Sequence, residues 1–144
     1  MEQTKERMLI VEDEAFLRDL YVDVLSPEGY IIDSAADGEE AFNKIQKQEY
    51  DIILLDIILP RMSAYQILEK LNADPNAKNK SSVILLLTNL DNDSDIKRGL
   101  SLGAKAYLMK AQLTPADLIK EINYYIQKAK EEKAAQMAQA QTAA

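Results

Sequence analysis

Short apolar runs alternate along the chain with longer segments whose apolar residues recur every three or four positions. The short runs have the length of β-strands, and the longer period is typical of amphipathic helices. Their regular alternation predicts βαβ units around a parallel sheet, and hence an α/β fold. The third and fourth runs lack polar alternation, which favours central strands covered by helices on both faces. The predicted strands are Met8–Val11, Tyr30–Ala35, Asp51–Leu55, Val83–Thr88 and Ala106–Met109.

Start and stop residues delimit five helices between and after these strands. The first is predicted over Glu14–Leu25, with Leu20 on its apolar stripe. Asp37, with Glu40 three residues later, predicts a capping box at the second helix. The other three are predicted around Ile67–Leu71, over Asp93–Leu102 and from Thr114-Pro115 onward.

Length and composition indicate one globular domain, which we predict to span residues 1–128 of the 144. Residues 129–144 are rich in Ala and Gln, so they have high helix propensity but little apolar surface to bury. We therefore predict that this segment is a helical extension or a linker stub.

The composition limits the chemistry and the partners of the protein. With no Cys and no His, the chain has no disulfide, no thiolate or imidazole metal site and no His-dependent triad. The formal net charge of −7 opposes direct binding to nucleic acid. No apolar run approaches the roughly 20 residues of a membrane span, and Met1–Arg7 lacks the apolar region of a signal peptide. We therefore expect a cytoplasmic protein without a membrane partner.

Polar residues follow the predicted strands at their carboxyl ends, the edge where open parallel sheets bind ligands. If the strands lie in the order 2-1-3-4-5, the first and third strands are neighbours and the carboxylates that follow them converge in one cleft. The residues at this edge are Glu12 and Asp13 after the first strand, Asp56 after the third, Thr88 at the end of the fourth and Lys110 after the fifth.

Three carboxylates in one cleft need protons or a cation, because like charges about 4 Å apart repel by roughly 4 kcal/mol at an effective dielectric constant of 20. Oxygen ligands without His or Cys favour Mg²⁺ or Mn²⁺. The Lys110 ammonium and the Thr88 hydroxyl suit the oxygens of a phosphoryl group that is transferred to a carboxylate. The residues at this edge therefore favour an aspartyl-phosphate site.

Four motifs, in this order and spacing, give the chain a resemblance to a known family. Over residues 6–128 it resembles the receiver domains of bacterial two-component response regulators, including the chemotaxis regulators. The resemblance implies a (βα)5 flavodoxin-like, doubly wound parallel sheet with strand order 2-1-3-4-5. The motifs are Met8-Leu-Ile-Val-Glu-Asp-Glu14, Leu54-Leu-Asp-Ile-Ile-Leu-Pro60, Leu86-Leu-Thr88 and Gly103-Ala-Lys-Ala-Tyr-Leu-Met-Lys110.

The resemblance also implies roles for the acidic residues and the lysine. Asp56 is the expected phosphoacceptor, and Lys110 is expected to bond the phosphoryl group. Asp13 and Asp56 are expected to bind Mg²⁺ (or Mn²⁺) directly. Glu12 is expected to reach the ion through water, and Ile58 to reach it through its backbone carbonyl.

By the same resemblance, Thr88 and Tyr107 are the hydroxyl and the aromatic residue of a conformational switch. The implied function is that of a phosphoacceptor signalling module, not of an enzyme that acts on a separate substrate. A sensor histidine kinase or a phosphotransfer protein is the expected phosphoryl donor. A downstream protein is expected to read the face formed by the fourth helix, the fifth strand and the fifth helix, which is also a possible homodimer interface.

The sequence departs from the family pattern at three positions. Ala64 stands where glycine is common, so we expect its backbone to avoid positive φ or to be strained. Asn89 stands where a small residue is common, and its bulk is expected to narrow access to the phosphoryl group. Ala111 stands where proline is common, and without proline a cis peptide at this point costs roughly 3 kcal/mol or more.

Other functions share this architecture. Haloacid-dehalogenase-type phosphatases need a second Asp two residues after the nucleophile, where this chain has Ile58. Flavodoxin-like carriers need a phosphate-binding loop after the first strand, where Glu12-Asp13-Glu14 repels phosphate. A pseudo-receiver that docks without phosphorylation stays open. Ile58 and Leu90 are aliphatic and cannot orient a hydrolytic water, so they predict a long-lived aspartyl phosphate.

Overall fold

The computed structural model describes residues 5–79, 81–89 and 93–142. Within these ranges every strand is followed by an α-helix, as the alternation of apolar patterns predicts. Short 3-10 turns follow the first helix and the fifth strand, at Ser26–Glu28 and Lys110–Gln112. The strands are β1 (Arg7–Val11), β2 (Ile31–Ala35), β3 (Ile52–Asp56), β4 (Val83–Thr88) and β5 (Ala106–Met109). The helices are α1 (Ala15–Leu25), α2 (Gly38–Lys47), α3 (Ala64–Ala73), α4 (Asp93–Ser101) and α5 (Pro115–Thr142).

The five strands form one parallel sheet in the order β2-β1-β3-β4-β5. This order confirms the predicted α/β fold with a flavodoxin-like, doubly wound sheet. Every residue of β3 and β4 is buried, so the two strands without polar alternation do lie inside the sheet. The chain reverses its direction of strand addition between β1 and β3, which places the switch point of the sheet at the carboxyl ends of these two strands.

Alternate residues of each strand pack into two apolar layers, one on each face of the sheet. Leu9 and Val11 of β1 pack with α2 and α3, whereas Met8 and Ile10 pack with α1 and α5. The predicted stripe of α1 is partly wrong, because the side chain of Leu20 is 37% exposed and the fully or nearly fully buried residues of α1 are Tyr21 and Leu25.

Side-chain caps fix the starts of α2 and α3. Asp37 accepts a hydrogen bond from the backbone N–H of Glu40 at 2.8 Å, as predicted, but the Glu40 carboxylate accepts from the N–H of Ala36 and not from that of Asp37. The predicted capping box at α2 is therefore only half formed. A complete one begins α3, where Ser63 and Gln66 exchange side-chain to backbone hydrogen bonds.

The loop between β3 and α3 packs closely against the start of α2. The N–H of Gly38 donates to the carbonyl of Pro60 at 3.2 Å, and a Cβ on Gly38 would overlap the backbone carbonyl of Met62. Among the described non-glycine residues, Arg61 has a positive φ, of 70°, and Ala64 does not. Ala64 instead begins α3 as a fully buried residue, so the loop adopts its turn before reaching this position.

Helix α5 continues without interruption past residue 128 to Thr142. Lys130 forms an ion pair with Glu6 beside the start of β1, and Lys105 pairs with Glu132 at 3.7 Å. The first turn after residue 128 is therefore in contact with the sheet layer, whereas residues 134–141 are exposed. Among the described residues, none of the helices combines the length and the apolar composition that crossing a bilayer requires.

Candidate functional site

Three carboxylates converge at the carboxyl ends of β1 and β3. Glu12 and Asp13 directly follow β1, and Asp56 is the last residue of β3. One carboxylate oxygen from each of the three lies within 4.8 Å of the other two. Glu12 is fully buried, Asp56 is 6% exposed and Asp13 is exposed. The strand order thus produces the cleft expected from the sequence, with one of its carboxylates open to solvent.

Lys110 neutralises part of this charge. Its Nζ donates a hydrogen bond of 2.5 Å to Asp56 Oδ2 and lies 2.5 Å from Glu12 Oε1. Burial lowers the pKa of Lys110, but the hydrogen bonds and charges of Asp56 and Glu12 outweigh burial, so its pKa lies above the ordinary value. Lys110 is therefore an ammonium ion at neutral pH, and the four side chains together carry a formal charge of −2 when all three carboxyls are ionised.

Hydrogen bonds fix the backbone at Glu12 and two of the carboxylates. The guanidinium of Arg18, one turn into α1, donates to the backbone carbonyl oxygen of Glu12 at 2.9 Å. The N–H of Glu14 donates to Glu12 Oε2 at 3.3 Å, and the N–H of Ile58 donates to Asp56 Oδ1 at 3.2 Å. Sequence reasoning missed the contact of Arg18, because a helical Arg with no marked periodicity resembles any solvated surface residue.

The cleft has the donor set of a magnesium site. Its ligand atoms are carboxylate oxygens, which hard divalent cations prefer, and the remaining negative charge matches a divalent ion. Glu12 Oε1 is buried and already lies beside the Lys110 ammonium, whereas the Asp13 carboxylate is exposed at the mouth of the cleft, where a hydrated cation would meet it. The residues therefore fit Mg²⁺ or Mn²⁺.

The other predicted residues lie around the cleft at different depths. Thr88 ends β4 and is 1% exposed, next to the strand that carries Asp56. Ile58 lies two residues beyond Asp56 with a side chain that is 64% exposed. Tyr107 belongs to β5, and its ring is 42% exposed, so it lies outward in this structure. Leu90, the second residue of the lifetime prediction, lies outside the described residues.

Two of the departures from the family pattern contact each other. Asn89 Oδ1 accepts a hydrogen bond from the backbone N–H of Ala111 at 3.0 Å. The peptide bonds of the described residues, including the one between Lys110 and Ala111, are all trans. Both positions are departures in the sequence, but the sequence does not predict a bond between them, because the bond depends on how two loops approach each other.

Comparisons with known proteins agree with this geometry. Residues 8–123 match the family model of the response regulator receiver domain. The chain is 37% identical over 108 residues to the probable transcriptional regulator ycf27 of Guillardia theta. The aligned region covers 75% of this chain but only 41% of that relative. The chain thus spans about two fifths of the length of this curated relative.

Solved structures show the same architecture. A CheY-like response regulator receiver domain protein from Methanospirillum hungatei JF-1 is 29% identical, with a TM-score of 0.80 and coverage of 90% of this chain and 99% of that one. The receiver domain of sensor histidine kinase PA1611 from Pseudomonas aeruginosa PAO1 is 28% identical, with a TM-score of 0.74 and coverage of 85% and 98%. That structure contains a magnesium ion coordinated in its active-site cleft. Fold, cleft and family model together show that this chain belongs to the receiver domain family of two-component response regulators.

Proposed function

We propose that Asp56 accepts a phosphoryl group from a phosphohistidine of a sensor histidine kinase or phosphotransfer protein. The observation that carries this proposal is the arrangement at the end of β3, where the Asp56 carboxylate lies beside the Lys110 ammonium and two further carboxylates. Of the three carboxylates, Asp56 alone both ends a fully buried strand and accepts a hydrogen bond from Lys110. The exposed Asp13 carboxylate, together with Asp56, can then hold a cation, while Glu12 lies beside Lys110.

The transfer is a nucleophilic substitution at phosphorus. An oxygen of the Asp56 carboxylate forms the new P–O bond, and the P–N bond to the donor imidazole breaks, leaving the electron pair on the imidazole nitrogen, which takes up a proton. Formation of this acyl phosphate removes the carboxylate charge of Asp56 and places anionic phosphoryl oxygens beside Lys110. Lys110 then exchanges its bond to Asp56 for one to a phosphoryl oxygen, and the Thr88 hydroxyl donates to another.

The metal-binding residues in this proposal are Asp13 and Asp56 as direct ligands, the carbonyl of Ile58, and Glu12 through water. Bound Mg²⁺ or Mn²⁺ supplies positive charge that neutralises the phosphoryl oxygens and the carboxylates during transfer. The N–H of Ile58 already fixes the loop to Asp56 Oδ1, which supports the assignment of its carbonyl. Asp13 is the exposed carboxylate, so it would be the ligand that a cation contacts from the solvent side.

Phosphorylation acts as a switch in this proposal. Thr88 moves toward the phosphoryl group, and Tyr107, now 42% exposed, turns inward, which changes the face formed by α4, β5 and α5. A downstream protein or domain reads this face, and a second copy of the chain is another possible occupant. The protein then acts as a cytoplasmic signalling module that catalyses only its own phosphorylation and dephosphorylation, without binding nucleic acid directly.

Mass spectrometry tests the phosphoacceptor. The wild type, Asp56→Asn and the control Asp23→Asn are incubated with acetyl phosphate and Mg²⁺, then with acetyl phosphate and EDTA. Asp23 is an exposed carboxylate of α1 that does not belong to the group of three carboxylates. Asp23→Asn therefore changes the net charge by the same amount without changing the site. We expect one added phosphoryl group on the wild type and on Asp23→Asn with Mg²⁺, and none on Asp56→Asn. A phosphoryl group on another residue of Asp56→Asn, or equal labelling in EDTA, contradicts the proposal.

A further inference from the structure

The loops that follow β4 and β5 are joined by one side chain. The last backbone pair between these strands is Thr88 with Met109. Beyond it, Asn89 Oδ1 accepts a hydrogen bond from the N–H of Ala111 at 3.0 Å. Asn89 directly follows Thr88, and Ala111 directly follows Lys110. The bond therefore continues the β4–β5 pairing past the ladder and connects the two residues assigned above to the phosphoryl oxygens.

This bond needs a residue other than proline at position 111 and a side-chain acceptor at position 89. A proline at position 111 has no N–H to donate, and an alanine or glycine at position 89 has no side-chain oxygen to accept. Asn89 and Ala111 are both exposed, and Lys110–Gln112 is a single 3-10 turn. Lys110 anchors this turn through its side chain, whereas Ala111 and Gln112 are exposed, so the bond to Asn89 restrains the backbone where the turn has few other contacts.

We infer that Asn89 is a positioning residue, which holds the backbone at Lys110-Ala111 so that the Lys110 ammonium and the Thr88 hydroxyl face the same phosphoryl group. This inference rests on the proposed function of Asp56. In the unphosphorylated protein, Lys110 is also held by Glu12 and Asp56. Once the Asp56 carboxylate is phosphorylated, its own attraction for Lys110 falls, and the Asn89 bond remains to keep the turn in place.

The inference predicts a split between two affinities. Losing a hydrogen bond of this kind changes an equilibrium by about three- to tenfold, and the loss falls on steps in which Lys110 and Thr88 bind phosphoryl oxygens. The carboxylates that hold the cation lie at the ends of β1 and β3, and none of them belongs to the two loops joined by Asn89. Affinity for Mg²⁺ alone should therefore stay unchanged, whereas general damage to the site lowers both.

Two substitutions separate the hydrogen bond from the size of the side chain. Asn89→Ala removes the acceptor and opens space, and Asn89→Leu removes the acceptor but keeps a similar volume. We expect both to lower the affinity for beryllofluoride, a mimic of the phosphoryl group, and the initial rate with acetyl phosphate by about three- to tenfold. Calorimetry should give the same affinity for Mg²⁺ as in the wild type. Asn43→Ala, the same change at an exposed position of α2, should alter none of these values.

A double-mutant cycle tests the donor. Ala111→Pro removes the N–H, so Asn89→Ala should cause no further loss in that background, whereas in Ala111→Gly, which keeps the N–H, it should cause the full loss. A measurement without proline is the exchange of the Ala111 amide proton with solvent, followed by NMR. We expect faster exchange in Asn89→Ala and Asn89→Leu than in the wild type.

The outcomes distinguish this inference from the proposed function. If the wild type is phosphorylated on Asp56 but both Asn89 variants match it in beryllofluoride affinity and amide exchange, the positioning role is wrong and the phosphoacceptor stands. Opposite effects of Asn89→Ala and Asn89→Leu mean that size controls access, and they also overturn the inference. Equal losses in the Ala111→Pro and Ala111→Gly backgrounds do the same. If the wild type takes up no phosphoryl group, the proposed function fails by itself, while the amide exchange still reports on the bond.

Discussion

Replacing Asp13 by Asn should change the stability of the protein in opposite directions with and without Mg²⁺. Asp13 is the exposed member of the three carboxylates, and within the described residues the ion pairs of Lys110 are with Glu12 and Asp56. Asp13→Asn therefore removes repulsion from two carboxylates without removing an ion pair of the lysine. The same change removes a ligand that we assign to the metal ion.

The distances set the size of the effect. The three carboxylate oxygens lie within 4.8 Å of one another, and at that distance two unit charges repel by about 3.5 kcal/mol at an effective dielectric constant of 20 and by about 1 kcal/mol in bulk water. Solvent screens the exposed Asp13, so the lower value applies better, and its attraction to Lys110 offsets part of the repulsion from the two carboxylates. We expect a net gain of roughly 1 kcal/mol in the free energy of unfolding, or about 2–4 °C in Tm.

Thermal unfolding followed by circular dichroism measures both directions. In EDTA, Asp13→Asn should unfold above the wild type. In Mg²⁺ at 100 times its dissociation constant, the wild type should gain about 2.7 kcal/mol, whereas the variant should gain much less, so the order of the two Tm values reverses. Asp23→Asn removes an equal charge from α1 and should preserve the response to Mg²⁺. A variant that is less stable than the wild type in EDTA, or that keeps the full Mg²⁺ response, refutes the reasoning.

Three more predictions address the switch, the tail and the hydrolysis of the aspartyl phosphate. Thr88→Ala should still be phosphorylated by acetyl phosphate but lose any phosphorylation-dependent change in oligomeric state or partner binding, and a response equal to that of the wild type in gel filtration or pull-down rejects the switch. Deleting residues 134–144 should lower Tm by less than about 2 °C. Deleting residues 129–144 also removes two ion pairs, so it should lower Tm by about 2–4 °C more. Equal Tm values for the two deletions would contradict this prediction. Ile58→Asn, unlike Ile58→Leu, should speed loss of the phosphoryl group roughly three- to tenfold by orienting water, and equal decay of the two variants would show that this side chain does not control hydrolysis.

The fold is predictable from the sequence because its determining features are local. The apolar runs of β3 and β4 lack a polar face, and such strands are stable only between two layers of helices. The convergence of Glu12, Asp13 and Asp56 then follows from strand order, since β1 and β3 are neighbours whose carboxyl ends lie at one edge. The prediction for Leu20 differs from the structure because this residue lies at the edge of the apolar face of α1, 37% exposed next to the buried Tyr21.

Contacts between loops are less predictable than the residues that end the strands. The hydrogen bond from Arg18 to the carbonyl of Glu12 and the one between Asn89 and Ala111 each join a side chain to a backbone group. Such bonds depend on the relative placement of two segments and leave no periodic pattern in the sequence. The half-formed capping box at Asp37 is a similar case, since the Glu40 side chain selects the N–H of Ala36 instead of that of the cap residue.

The two departures at Asn89 and Ala111 show how a structure changes the interpretation of a sequence. Considered one at a time, Asn89 is expected to narrow access to the phosphoryl group, and Ala111 to make a cis peptide costly. In the structure they form one interaction, because the N–H that proline lacks is the donor and the amide oxygen that a small residue lacks is the acceptor. A sequence that carries only one of them leaves either a donor or an acceptor without this partner. Substitutions at positions 89 and 111 are therefore expected to depend on each other, and the coupling energy of the Asn89 and Ala111 variants measures that dependence directly.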